Sequence, residues 1–261
     1  MLNEVPSETL EQALRHFAEH GYARLGRVLS DEGIAALRSR ADDMMFGRLV
    51  YPGLFFQRDS ETGSYDDLRF KQGYEGPGDH YRKVEKIELD PVCRSWLENP
   101  LYERIARRLI DGPIAIYRAV IFSKGKGGGT ELPWHQDGGK FWGLDRDPFL
   151  QIWTALDDAP IESGCVELIP GSHKDGLRTP FGGGIPKEAV AARGVQSAFV
   201  PVLAGEAILI HNHVWHRSGL NRSGQPRRAL SFCYMSAATR CVRKKRAPRE
   251  FVAVFRGPPA E

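Results

Sequence analysis

Hydrophobic residues fall into two textures along the chain. Up to about residue 112 they recur mostly at helical spacing. Leu10, Leu14, Phe17 and Ala18 make one apolar stripe, with Ser7 as a candidate N-cap and Gly21 as the stop. Tyr22 to Leu25, with Val28, reads as a short strand. Ile34, Leu37 and Ala41 mark a second helix behind Ser30 or Asp31. Asp90-Pro91 and Asn99-Pro100 each set a capping side chain before a proline at the first helical position, and Leu101, Ile105 and Leu109 form the apolar face that ends at Gly112. Residues 57–80 are rich in Gly, Asp, Ser and Tyr and carry no sustained periodicity. They predict a long loop, and a loop of that length inside a compact domain suits a lid over a pocket.

From Pro113 onward short β-type blocks take over: 114–122, 149–156, 165–169, 198–202, 207–211 and 228–234, separated by Gly- and Pro-containing turns. Short strands with irregular connections after a helical prelude predict a mainly β protein with helices (α+β), an antiparallel sandwich or barrel backed by helices. No internal repeat or linker divides it. The expectation is one domain over 1–261: a mostly helical region at 1–112, a β core at 113–240 and a basic segment at 241–261.

Composition narrows the classes. The chain has 261 residues, 41% of them hydrophobic, enough for one sizeable core, and no apolar run approaches the roughly 20 residues that span a bilayer. The N-terminus has neither a basic nor an apolar signal region, so the expected location is cytoplasmic. Cys93, Cys165, Cys233 and Cys241 show no paired or zinc-type spacing and read as free thiols. Net charge is +3, but six basic residues crowd into 240–249 (Arg240, Arg243, Lys244, Lys245, Arg246, Arg249), which leaves the rest slightly acidic. Such a run can meet a nucleic acid or an anionic substrate. Without any nucleic-acid-binding motif it reads first as a solvated edge, and the expected partner is a small molecule.

The chemistry gathers in two stretches. In Trp134-His135-Gln136-Asp137-Gly138, an extended backbone puts His135 and Asp137 on one face. An imidazole and a carboxylate so placed, with a second histidine, make the 2-His-1-carboxylate set that holds non-haem Fe(II) with coordination positions to spare. The second histidine has three candidates, His211, His213 and His216, at and beyond the end of the 207–211 strand, and strand parity does not choose among them. His16 and His20, spaced i, i+4 on the first helix, lack the intervening glutamate of a metalloprotease motif and read as surface.

These pieces resemble the phytanoyl-CoA dioxygenase (PhyH-like) family of Fe(II)/2-oxoglutarate oxygenases. The matching segments are W-H-Q-D-G at 134–138, S-G-C-V-E-L-I-P-G-S-H-K at 163–174, A-G-E-A-I-L-I-H at 204–211 and H-R-S-G-L-N-R-S-G-Q-P-R-R-A-L-S at 216–231. The resemblance implies a double-stranded β-helix (jelly-roll, cupin-like). It implies His216 as the third metal ligand, because the family's distal histidine opens an H-x-S-x-x-N segment. It implies Arg227 and Ser218 as partners of the distal carboxylate of 2-oxoglutarate, Trp153 at the family's aromatic position, and Lys86 as a lysine near the co-substrate. An arginine suits that carboxylate because its planar fork stays charged and matches it. Arg228 would face the opposite side of its strand. The implied cofactors are Fe(II), 2-oxoglutarate and O2, with succinate and CO2 released. Related halogenases lack the carboxylate, so Asp137 implies hydroxylation or a variant of it.

The substrate is less legible. Gln136, Phe141, Trp142 and Tyr74 are candidate substrate contacts, and 181–188 is a candidate mobile flank. Aromatic and polar residues together suit a small organic metabolite. The wealth of Arg, Ala and Gly fits a GC-rich bacterial source, where such enzymes tailor secondary metabolites. Two rivals stand beside this reading. One is a cupin-like metal-binding isomerase or binding protein, for which a buried carboxylate socket has no purpose. The other is a nucleic-acid-associated oxygenase using the basic run.

Overall fold

A computed structural model describes residues 2–69, 73–194, 196–244 and 249–257. In chain order the elements are α1 (Ser7–His20), β1 (Tyr22–Arg27), α2 (Asp31–Met45), β2 (Phe55–Arg58), β3 (Tyr81–Glu85), α3 (Pro91–Leu97), α4 (Pro100–Leu109), β4 (Ile114–Lys124), β5 (Leu132–Gln136), β6 (Leu150–Ala155), β7 (Val166–Ile169), β8 (Gly183–Gly184), α5 (Lys187–Ala192), β9 (Ala198–Val200), β10 (Glu206–His211), β11 (Trp215–Ser218), β12 (Arg227–Ser236) and β13 (Val252–Phe255). Among the described residues the strands form two antiparallel sheets. The larger runs β1-β10-β6-β12-β4-β3-β2, with β13 also on β4, and the smaller runs β8-β5-β11-β7-β9. This is the expected double-stranded β-helix.

The helix ends follow local chemistry. Ser30 accepts the Gly33 N–H at 3.2 Å, Asp90 accepts those of Val92 and Cys93, and Asn99 accepts that of Tyr102. Asn99→Ala removes one such cap and is expected to cost about 1 kcal/mol, read as a lower urea midpoint. Ser7 does not cap α1: the helix begins at Ser7, with Pro6 in the cap position and no side-chain bond, since proline already fixes the entering backbone angle.

Alternation divides the large sheet between two tasks. Leu230, Phe232 and Tyr234 of β12, with Leu150 and Ile152 of β6, face outward into one apolar cluster shared with α1 to α4. Trp153, Ala155, Ala229, Ile208 and Ile210 face inward and meet Val166, Leu168 and Val200 of the small sheet. The inter-sheet space is therefore solid core at one end and open at the other. Among the described residues no helix is long and apolar enough to cross a membrane.

Two expectations are revised. The first 112 residues hold more strand than expected: β1 is the short strand expected at 22–25 and takes one edge of the large sheet, while β2 and β3, not expected, take the other. In β2 and β3 the cavity-lining positions include polar ones, Gln57, Arg82 and Lys83 beside Phe55, and this hid the apolar–polar alternation that marks a strand. Gln57 and Arg58 are thus strand, and the connection spans 59–80. Phe70, one of the expected lid residues, lies outside the described residues, as do Lys245 and Arg246 of the basic run. The flank at 181–188 is held rather than loose, since Gly183 and Gly184 pair with Gln136 and His135. That docking requires glycine. A Cβ on Gly182 (φ +76°) would meet the Gly138 carbonyl oxygen at 2.2 Å.

Candidate active site

The small sheet sets two histidines face to face. His135 of β5 and His216 of β11 are direct cross-strand partners, with ring centroids 4.1 Å apart. Each ring ties Nδ1 to a backbone carbonyl two residues earlier: His135 to Pro133 at 2.8 Å and His216 to Val214 at 2.9 Å. A carbonyl only accepts, so Nδ1 carries the proton in both and Nε2 is left as the ligating atom, the usual way an orienting bond fixes a metal-binding tautomer. Burial, then the neighbouring His216, pushes the His135 imidazole down to about 4, so it is neutral at physiological pH, as a ligand must be.

Asp137 follows two residues after His135. Its backbone N–H donates to the Asn212 carbonyl at 2.8 Å, which ties the 134–138 segment to the 211–217 segment. Its carboxylate Oδ2 accepts from Arg118 Nη2 at 2.9 Å and from Gln151 Nε2 at 2.6 Å. Burial works to raise this carboxyl, but the Arg118 guanidinium, with the Gln151 hydrogen bond, helps outweigh it and holds the carboxyl below the usual carboxylate range. Among the described residues no three His, Cys, Asp or Glu side chains converge closely enough to grip an ion as they stand. The donor types and the two tautomers nonetheless fit non-haem iron, and the bonds on Oδ2 are what a metal would compete with or share.

The open end of the inter-sheet space is a cavity of about 280 Å³ lined by His135, Asp137 and His216. Arg227, 4% exposed, enters it from β12. Its Nη2 donates only to neutral oxygens, the Gly164 carbonyl at 3.1 Å and Ser218 Oγ at 3.2 Å, and its Nε has no partner among the described residues. Trp153 lies under the guanidinium at 5.6 Å. Burial lowers the Arg227 pKa to about 10, which leaves it charged. A buried cation with an orphaned donor and no ion-paired carboxylate among the described residues has the chemistry to take an anionic group from the cavity. Arg228 faces the other way, as period two requires, and pairs with Asp157 and Asp42 outside the cavity.

Lys124, absent from the sequence reading, lies beside this socket. Its Nζ donates to the carbonyls of Gly219, at 2.6 Å, and Thr130. Burial, with Arg227 adding to it, pushes the ammonium down to about 6. A bound dianion favours the charged form. Binding 2-oxoglutarate is therefore expected to take up a proton between about pH 6 and the ordinary lysine value, and affinity should fall as pH rises through that window. Calorimetry in buffers of different ionisation enthalpy reads the uptake, which Lys124→Met should abolish.

Not every expected residue reaches the cavity. Lys86 is exposed and turned away by a left-handed backbone (φ 65°) at the end of β3; Lys83, three residues earlier, lines the cavity instead. Tyr74 is 42% exposed and packs on Phe56 and Tyr81 outside it, while Tyr65 of the same connection lines it. Gln136 borders the cavity, but its amide donates to the Gly176 and His213 carbonyls and accepts from the Arg178 N–H, so it braces a loop. Trp142 stacks on Tyr117 at 4.2 Å and carries Arg118 over its ring, and Phe141 stands exposed at the rim. Arg243 of the basic run donates to the Phe141 carbonyl at 2.7 Å and so belongs to the rim. Arg118 and Gln151 also escaped the sequence reading. A register shift at Tyr117, where Arg118 pairs with Cys233 and Ile116 with Tyr234, brings both Tyr117 and Arg118 inward and breaks the alternation that would have revealed them.

A family model described as phytanoyl-CoA dioxygenase (PhyH) matches residues 17–229. Phytanoyl-CoA dioxygenase domain-containing protein 1 of Bos taurus is 35% identical over 86% of this chain and 89% of its own. In fold the chain is similar to EctD from S. alaskensis, solved with 2-oxoglutarate and 5-hydroxyectoine, with a TM-score of 0.73, 20% identity and coverage of 99% of this chain and 88% of that one. It is also similar to the epimerase SnoN, solved with Fe3+, alpha ketoglutarate and nogalamycin RO, with a TM-score of 0.72, 19% identity and coverage of 97% of both chains.

Proposed function

The chain belongs to the phytanoyl-CoA dioxygenase (PhyH) family of non-haem Fe(II)/2-oxoglutarate-dependent oxygenases, and from that premise we propose that it hydroxylates a small organic metabolite. Iron, 2-oxoglutarate and O2 are its cofactor set, and together they supply the oxidising power. His135 and His216 offer Nε2, and Asp137 offers its carboxylate, as the iron ligands. Arg227 and Ser218 take the distal carboxylate of the co-substrate, with Trp153 as the apolar floor beneath it. Arg118 and Gln151 orient Asp137. Trp142 and Phe141 wall the cavity where substrate enters, and help keep water from it.

The observation that carries this reading is Arg227, a buried cation without a carboxylate in the same cavity as the facing histidines. A cupin-like isomerase or binding protein has no use for it. Asp137 favours hydroxylation over halogenation because it fills the position that a halide would take. The composition and the fold shared with an epimerase of nogalamycin biosynthesis support a bacterial secondary-metabolite substrate.

Anaerobic titration with Fe(II) and 2-oxoglutarate tests the assignment. The expected result is a weak visible charge-transfer band, followed by succinate on admitting oxygen. No band and no succinate would overturn it.

A further inference from the structure

The cavity carries an unequal charge. Among the described residues, six cationic side chains line it (Arg82, Lys83, Arg118, Lys124, Arg217 and Arg227) against one carboxylate, Asp137. Most are accounted for. Arg118 pairs with Asp137 at 2.9 Å, Lys83 with Glu85 at 2.6 Å and Arg217 with Glu167 at 2.6 Å. Lys124 is held by carbonyls, and Arg227 is the co-substrate socket.

Arg82 is left over. It is 9% exposed, and its Nη1 donates to the neutral Gln57 Oε1 at 2.6 Å. It forms no ion pair among the described residues, although burial is the largest influence on its charge and opposes it. Asp59 and Glu85 favour that charge only from beyond ion-pair distance. A guanidinium kept out of water without a hydrogen-bonded counter-charge is costly, and an anion in the cavity relieves that cost.

The backbone aims it there. Gln57 pairs with Lys83 and Arg58 with Tyr81, so Arg82 is the extra residue of a β-bulge. Strict alternation would send Arg82 and Lys83 to opposite faces, but the bulge lets both line the cavity. The site is separate from the co-substrate socket. Arg82 lies on β3 and Arg227 on β12, with β4 between them, so their backbones are two strand spacings, roughly 10 Å, apart. Phe55 and Phe122 beside Arg82 add apolar surface.

We propose that Arg82, braced by Gln57, receives an anionic group of the substrate, so that this oxygenase acts on a small carboxylate or phosphate ester with an apolar body. The inference rests on the oxygenase reading above and is tested apart from it. Protein loaded anaerobically with Fe(II) and saturating 2-oxoglutarate is titrated calorimetrically with 3-phenylpropionate and with its neutral amide. The wild type should bind the carboxylate about tenfold more tightly or better, the worth of one charge-assisted hydrogen bond. Arg82→Met should erase that preference, Arg82→Lys should keep part of it, and 2-oxoglutarate affinity should be unchanged in both. A wild type that binds neither probe or does not prefer the carboxylate overturns the proposal. So does an Arg82→Met protein that keeps the preference, or one that loses 2-oxoglutarate affinity in step with the probe. Absence of the charge-transfer band in the wild type would instead sink the oxygenase reading.

Discussion

His216→Ala is expected to bind no iron and to release no succinate, while His213→Ala keeps its iron and most of its turnover. The two histidines are three residues apart but differently engaged. His216 stands opposite His135, with Nδ1 on the Val214 carbonyl and Nε2 left to ligate. His213 sends Nε2 to Asp147 Oδ2 at 3.3 Å, and Asp147 in turn accepts the Gly139 N–H at 2.8 Å, so His213 supports the turn after Asp137 from behind. His211 is further removed. It packs against Phe149 and His173, and burial pushes it down to about 3, the behaviour of a neutral packing residue. Loss of an outer partner typically costs roughly 10- to 100-fold in metal affinity, whereas loss of one of three protein ligands leaves a pair too weak to retain Fe(II) through purification. Iron per chain and the charge-transfer band measure both, with circular dichroism to establish that each variant folds. Iron retained by His216→Ala and lost by His213→Ala would reverse the assignment.

How far the site was legible depended on whether a residue kept the rules of its element. Arg227 and Arg228 did: strict alternation on β12 sends one into the cavity and the other to Asp157, so alternation sets them on opposite faces, while the resemblance is what implied Arg227 as the inner one. His135 and Asp137 were legible for the same reason. Arg118 and Arg82 were not, because each lies at a register shift, where an extra residue moves the inward face by one position. No pattern in a single sequence marks a bulge of that kind. Lys124 was hidden differently. It is the last residue of its strand, and a lysine at a strand end ordinarily reads as solvent-exposed, yet here it is 4% exposed.

β2 and β3 do not read as strands because Gln57, Arg82 and Lys83 are polar on the cavity side beside Phe55, so the apolar–polar alternation of an ordinary half-buried strand fails. The strand runs only to Glu85, and Lys86 is already in a left-handed turn, so the lysine on the cavity wall is Lys83, three residues earlier, and Lys86 is at the surface. Three of the four expected caps are seen, since Ser30, Asp90 and Asn99 each act within three residues of themselves and need no tertiary context; Ser7 fails because Pro6 takes the cap position.

Arg227→Met is expected to weaken 2-oxoglutarate binding by about a hundredfold or more while leaving iron content intact. The side chain has nothing else to do. Its Nη2 bonds are to a carbonyl and a hydroxyl, its Nε is orphaned, and no carboxylate pairs with it among the described residues. Removing one partner of a buried charge pair costs about 3–5 kcal/mol, because the remaining charge stays buried and unpaired. Lys124, adjacent and able to take up a proton, offsets part of that loss, which places the effect toward the lower end. Arg227→Lys should recover little, since an ammonium cannot reproduce the two-pronged fork over Trp153. The protein without co-substrate should respond in the opposite sense. Burial disfavours the Arg227 charge, so Arg227→Met should melt at the same temperature as the wild type or higher. The wild type should then overtake the variant only when saturating 2-oxoglutarate is added, through mass action on the folded state. Thermal unfolding with and without the co-substrate reads that crossover. A variant that melts lower in both conditions and binds 2-oxoglutarate normally would show that Arg227 serves the fold and not the co-substrate.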